Sequence, residues 1–195
     1  MSRTRVAGPP ALILAAGSAR RFGSDKRLFP IDGVAMLART VDVYRTVFDE
    51  VAVVIRPGEP LIVDLVRASG ARPIEAADAS RGQSQSLAAG VAAFDQAPGL
   101  VVGLGDMPFV APATLRAIAD EMSTYPEHIV RPRHKGRPGN PVGFPAHAFA
   151  ALARIEGDTG AREVVAASEK LRFVEVDDPG ILTDVDRPPR KTQRC

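Results

Sequence analysis

One cysteine stands among 195 residues, Cys195. A disulfide framework or a cysteine-based zinc site within one chain is thereby excluded. Three histidines, His128, His134 and His147, have no H-E-x-x-H-like spacing and read as surface or packing residues rather than ligands. No stretch approaches the ~20 apolar residues of a membrane span, and MSRTRVAGPP at the start has no apolar segment of signal-peptide length. The expectation is a cytoplasmic protein with no membrane partner. Net charge is only +2, which argues against a nucleic-acid partner held by bulk electrostatics.

Two common phosphate motifs are also missing. Walker A needs four residues between its glycines and Lys-Ser/Thr directly after the second. Here five residues separate Gly17 from Gly23, and Lys26 comes three later. Gly103-Leu104-Gly105 begins like a dinucleotide fingerprint, but Pro108 stands where its third glycine belongs.

What is present is ordinary globular composition, 45% hydrophobic and 25% charged, in a length that suits one α/β domain with a sizeable core. The expectation is a single domain over 1–195, with a basic, proline-containing tail at 187–195. The chain is organised around ALILAAGSARRFGSDKRLFPIDG, residues 11–33. The apolar run Leu12-Ile13-Leu14 predicts a buried strand. Ala15-Ala16-Gly17 then opens a loop whose glycines, Gly17 and Gly23, allow the backbone close to a ligand. Arg21 and Lys26 place positive charge where a polyphosphate needs it, which points to a nucleoside triphosphate.

Further along, apolar spacing predicts helices carrying Leu37, Val41, Tyr44 and Phe48, then over 60–69, then carrying Leu87, Val91 and Phe94, then from Pro112 through Met122. Two short helices are expected around 146–154 and 160–168. Strands are expected at 51–55, 72–76, 99–104, 128–131, 141–144 and 171–176, with a turn at Ile31-Asp32-Gly33 and a polar loop at 133–140. Alternating strands and helices imply a mostly parallel sheet covered on both faces. Ligands of such sheets bind beyond the carboxyl ends of the strands, where both 15–26 and 105–108 fall.

Asp106 follows a fully apolar strand, and a carboxylate there needs a cation or a donor. Magnesium bound to substrate phosphates fits, because it uses one or two carboxylates plus phosphate oxygens. A helix cap before Pro112 is the other reading, although six residues is far for a cap. Asp184 and Asp186 share one side of an extended segment, as further ligands or as a solvated acidic turn. Gly82-Gln83-Ser84-Gln85-Ser86 opens a helix, with Ser80 or Ser84 as a cap or with amides and hydroxyls free for a nucleotide.

Leu14-Ala15-Ala16-Gly17, Arg21, Gly23 and Lys26 resemble the signature loop of the MobA-like nucleotidyltransferases. Ala19 and Phe22 depart from the serine and methionine frequent there, leaving the charges and glycines in place. Gly105-Asp106-Met107-Pro108, Gly82 to Leu87, Gly136 to Phe144 and Gly157-Asp158-Thr159-Gly160-Ala161-Arg162 resemble further family segments in the same order. Thr183-Asp184-Val185-Asp186 does too, although Arg187 and Pro188 replace the acidic continuation.

The resemblance implies a three-layer Rossmann-like α/β nucleotidyltransferase fold with a mostly parallel sheet. It implies transfer of CMP or GMP from an NTP to the terminal phosphate of molybdopterin cofactor, with Mg2+ and release of pyrophosphate. Arg21, Lys26 and Asp106 would be catalytic. Leu14, Ala15, Ala16, Gly17, Arg21, Gly23, Lys26, Gly82, Ser86 and Asp106 would bind the nucleotide. Asp106, Asp186 and Asp184 would hold the metal, and Gly139, Asn140 and Asp158 would face the acceptor. Ala15-Ala16-Gly17 resembles the cytidylyl branch, so CTP is favoured over GTP. A client molybdoenzyme is a further implied partner. A sugar-1-phosphate nucleotidyltransferase and a non-catalytic carrier of molybdenum cofactor stand as alternatives.

Overall fold

The computed structural model describes residues 8–17, 25–77, 82–155, 157 and 161–186. The expected sites Arg21, Gly23 and Asp158, the possible cap Ser80 and the basic tail lie outside them.

The strands are β1 (Ala11–Leu14), β2 (Pro30–Ile31), β3 (Val34–Ala35), β4 (Val51–Ile55), β5 (Arg72–Glu75), β6 (Gly99–Leu104), β7 (Ile129–His134), β8 (Arg137–Pro138), β9 (Val142–Pro145) and β10 (Leu171–Glu175). The α-helices are α1 (Met36–Arg45), α2 (Pro60–Ala68), α3 (Gln83–Ala92), α4 (Pro112–Thr124), α5 (Phe149–Leu152) and α6 (Arg162–Ala167). The main sheet runs β10-β7-β9-β6-β1-β4-β5, with β8 on β7. Only β9 and β8 run against their neighbours; the other pairs are parallel.

Alternation along the strands explains the three layers. In β1 and its extension, Ala11, Ile13 and Ala15 face one core, shared with α1, α2 and α4. Leu12 and Ala16 face the other, shared with α3, α5 and α6. Strands β1, β4 and most of β6 are buried on both faces, hence their continuous apolar runs.

Where the expectations differ from the fold, the reasons are local. The segment 133–140 is not a loop: β7 continues to His134 and turns through Lys135 and Gly136, at φ 49° and 76°, into β8. Two successive residues at positive φ make the tight turn that suits strand twist. Pro132 does not stop β7, because its carbonyl still accepts from Gly139 N at 2.9 Å. The segment 146–154 is shorter than expected, a 3-10 turn at Ala146–Ala148 running into α5.

Candidate active site

β1 is flanked by β4 on one side and β6 on the other, so the chain's order of winding reverses between β1 and β6. A crevice opens at such a reversal, beyond the carboxyl ends of the strands. Leu14 lies in register with Leu104, and Gly105 N donates to Leu14 O at 2.9 Å. The Ala15-Ala16-Gly17 turn and Asp106 therefore leave the sheet side by side. Ala15 and Ala16 are buried and Gly17 is exposed.

Asp106 is pinned from two directions. The buried Thr40 hydroxyl of α1 is shared between Met36 O at 3.0 Å and Gly105 O at 3.1 Å. On the other side Val185 N donates to the Asp106 carbonyl at 2.9 Å, bringing the 183–186 segment alongside. The result is a cluster: carboxylate oxygens of Asp106, Asp184 and Asp186 lie within 4.8 Å of one another. Lys26 Nζ donates to Asp106 Oδ2 at 2.6 Å and to Asp186 Oδ1 at 3.3 Å. Burial works against the ammonium, but these two carboxylates outweigh it and hold its pKa above the usual lysine value. Asp184 is solvent-accessible. Surrounding protein atoms, and then the charges of Asp186 and Asp106, nevertheless raise its carboxyl above the ordinary carboxylate value. Three converging carboxylates of this kind form an all-oxygen donor set, the chemistry hard divalent cations take. The site residues thus fit a divalent metal, and both Asp184 and Asp186 are within its reach.

The strap carrying Asp184 and Asp186 is itself held by the fold. Buried Asp178 accepts from Ala111 N at 2.8 Å and from Thr114 Oγ1 at 2.6 Å through one oxygen, and from Gly180 N at 2.9 Å through the other. Asp178, not Asp106, thus satisfies the start of α4. Asn140 N donates to Ile181 O at 3.0 Å, and a Cβ on Gly139 would stand 2.3 Å from that same carbonyl. Gly139→Ala is expected to push the strap away, cost about 1–3 kcal/mol and weaken divalent-metal binding. A Tm and metal affinity equal to wild type would show that the strap yields freely.

Gly82 stands at the start of α3 with φ 129°, and Ser84 and Ser86 behind it are buried. Ser84 makes no cap: its hydroxyl has no hydrogen-bond partner among the described residues. Gly139 N and its carbonyl are both engaged within the protein, with Pro132 O at 2.9 Å and Arg131 Nε at 3.0 Å.

Sequence reasoning passed over one group entirely. Arg27 is 4% exposed. It donates to Ala15 O at 3.0 Å, to both oxygens of Glu59 at 2.7 and 2.6 Å, and to Asp25 at 2.6 Å. Arg56 closes the other side of Glu59 at 2.8 Å. This network ties the end of β1 to the segment carrying Lys26 and to the start of α2. Its sequence signal, a charged residue before Leu28-Phe29-Pro30, is indistinguishable from a solvated loop.

The profile of the MobA-like NTP transferase domain matches residues 11–172. The Bacillus subtilis (strain 168) purine catabolism protein PucB is 26% identical over 189 residues, covering 91% of each chain. The crystal structure of Rv0371c from Mycobacterium tuberculosis H37Rv is 33% identical, with a TM-score of 0.78 over 93% of each chain. Its complex with manganese matches at 30% identity and a TM-score of 0.72, over 87% of this chain and 88% of that one. Molybdopterin-guanine dinucleotide biosynthesis protein A from Archaeoglobus fulgidus shares the fold, at 19% identity and a TM-score of 0.71 over 92% of this chain and 93% of its own. A two-sided α/β sheet, an oxygen-donor cluster at its switch point and this sequence match agree: the chain is a nucleotidyltransferase belonging to the MobA-like NTP transferase domain family.

Proposed function

We propose that this nucleotidyltransferase transfers CMP from CTP to the terminal phosphate of molybdopterin cofactor, with magnesium at Asp106, Asp184 and Asp186. The observation that carries the reading is the cluster itself: three carboxylates within 4.8 Å and Lys26 at 2.6 Å from Asp106, beside the Ala15-Ala16-Gly17 turn. A divalent cation held there neutralises charge on the triphosphate.

The chain's own part is positioning and charge, which supply most of the catalysis in phosphoryl chemistry. The Lys26 ammonium holds the triphosphate, with Arg21 as its second cation, and stabilises the leaving pyrophosphate. The acceptor phosphate oxygen attacks the α-phosphorus in line, and the bond to the bridging oxygen of the β-phosphate breaks. Leu14 to Gly17, Gly23 and the Gly82–Ser86 helix start frame the nucleoside, with the Ser84 hydroxyl, which has no partner among the described residues, as an added donor. Gly139, Asn140 and Asp158 serve the acceptor in this reading, the first through the backbone it shapes.

CTP is favoured because Ala15-Ala16-Gly17 resembles the cytidylyl branch. The Ala16 methyl is buried in the core with Leu87 of α3, so it acts on base choice by spacing the β1 turn from α3. Calorimetry with CTP and GTP, each with and without Mg2+, tests the reading together with turnover on molybdopterin. The expected result is Mg-dependent CTP binding at least about tenfold tighter than GTP and pyrophosphate release only with the pterin. A GTP preference sinks the base assignment, and turnover with sugar 1-phosphates instead of the pterin sinks the acceptor.

A further inference from the structure

The carboxylate cluster already faces a cation, and that cation belongs to the chain. Lys26 Nζ stands 2.6 Å from Asp106 Oδ2 and 3.3 Å from Asp186 Oδ1. Two of the three acids whose oxygens converge within 4.8 Å are therefore engaged by the ammonium. Lys26 and Asp106 are both half-buried, so their pair is less screened by water and salt than a fully exposed one. A hard divalent cation approaches a carboxylate oxygen to about 2.0–2.6 Å. An ammonium and such an ion on the same oxygens would bring like charges together where water screens them poorly. The present position of Lys26 thus competes with the metal that the same acids fit.

The fold allows the ammonium to leave while its backbone stays. Lys26 opens the 3-10 turn Lys26–Leu28, and Asp25 caps that turn by accepting from Arg27 N at 3.0 Å. Leu28 N donates to Asp25 O at 3.1 Å, and Phe29 N donates to Lys26 O at 3.1 Å. Arg27, the next residue, is locked to Ala15 O and Glu59. The main chain on either side of Lys26 is therefore fixed, and the flexible stem of a lysine can swing its head by rotamer changes alone. Phosphate oxygens are the acceptors that draw an ammonium from carboxylates, since they too make charge-assisted bonds.

We propose that Lys26 is the built-in occupant of the carboxylate cluster: its ammonium keeps a divalent cation out until a triphosphate takes that ammonium over. Metal and triphosphate then favour each other's binding, and the coupling resides in one side chain and is reciprocal. The occupancy stands on the geometry of the cluster; the hand-over to phosphate rests on the nucleotidyl-transfer reading.

Mn2+ alone is the probe, titrated into the full chain and followed by its electron paramagnetic resonance signal. Lys26→Met keeps most of the stem and removes the charge, and should bind Mn2+ about tenfold or more tighter than wild type, the scale of a hydrogen-bonded charge pair. Lys26→Arg keeps the charge and should show no such gain. Asp106→Asn added to Lys26→Met should cancel the gain, which places it at the cluster. Equal or weaker Mn2+ binding by Lys26→Met overturns the proposal, as does an equal gain in Lys26→Arg. Calorimetry with CTP separates this inference from the transferase reading. Tighter Mn2+ binding in Lys26→Met of a protein that binds no CTP keeps the occupant and sinks the transferase. CTP binding with Mn2+ affinity unmoved by Lys26→Met does the reverse.

Discussion

Asp106→Asn should lower the rate of nucleotidyl transfer by about 10²–10³-fold, the scale on which losing one stabilising group at a reacting centre is felt. The substitution keeps the side-chain shape, and it keeps the Asp106 carbonyl that holds Val185 N at 2.9 Å. It removes the charge on which the most contacts converge, since Asp106 pairs with Lys26 at 2.6 Å and completes the three-carboxylate cluster. Mn2+ affinity should fall with it, and Tm should hold or rise because repulsion among the carboxylates is relieved. Asp184→Asn should do less, since among these contacts Asp184 is not the one that orients Lys26. Single-turnover rates and Mn2+ binding measured on both variants check the order. Retained transfer in Asp106→Asn would move the chemistry elsewhere on the rim.

The same residues show how much a sequence can disclose. Asp106 is legible because it is an acid at the end of an all-apolar strand, and a strand of that pattern can only be a buried parallel one. Helices α1, α2, α3 and α4 are legible because their inward positions repeat at helical spacing. The cluster is less so: Asp184 and Asp186 stand some 80 residues beyond Asp106 in the sequence, and nothing local says that Val185 will hydrogen-bond to it. The strap depends on Asp178 reaching Thr114 and on a glycine at 139, contacts between distant segments that leave no periodic trace.

Arg27 is the extreme of that kind, and its replacement should have the largest effect on stability. Arg27→Met keeps much of the buried stem and removes the guanidinium. Glu59 then faces Arg56 alone, Asp25 loses its partner at 2.6 Å, and the Ala15 carbonyl loses its donor. Breaking a buried pair from one side costs about 3–5 kcal/mol, which for a chain of this size lowers Tm by about 6–20 °C. Glu59→Leu added to Arg27→Met should restore part of the loss, because the stranded carboxylate goes with it.

The pH dependence follows from the same contacts. Hydrogen bonding from Arg27 holds Asp25 below its ordinary 3.8. For Glu59, burial pushes upward, but the Arg27 and Arg56 guanidiniums prevail and hold it below 4.5. An acid whose pKa is depressed by folding stabilises the fold above its unfolded value and loses that contribution as pH falls through the folded one. Wild type should therefore lose stability steeply below about pH 4.5, and Arg27→Met should lose less over the same interval, having already lost the pairing. Urea denaturation of both proteins from pH 7 down to pH 3 reads the difference, and parallel curves would mean that the arginine fills space without holding the two acids. The network joins the end of β1 to the segment that carries Lys26, so weaker CTP binding should accompany the loss. On the proposed reading, the placement of Lys26 for the triphosphate would then depend on a buried cation, Arg27.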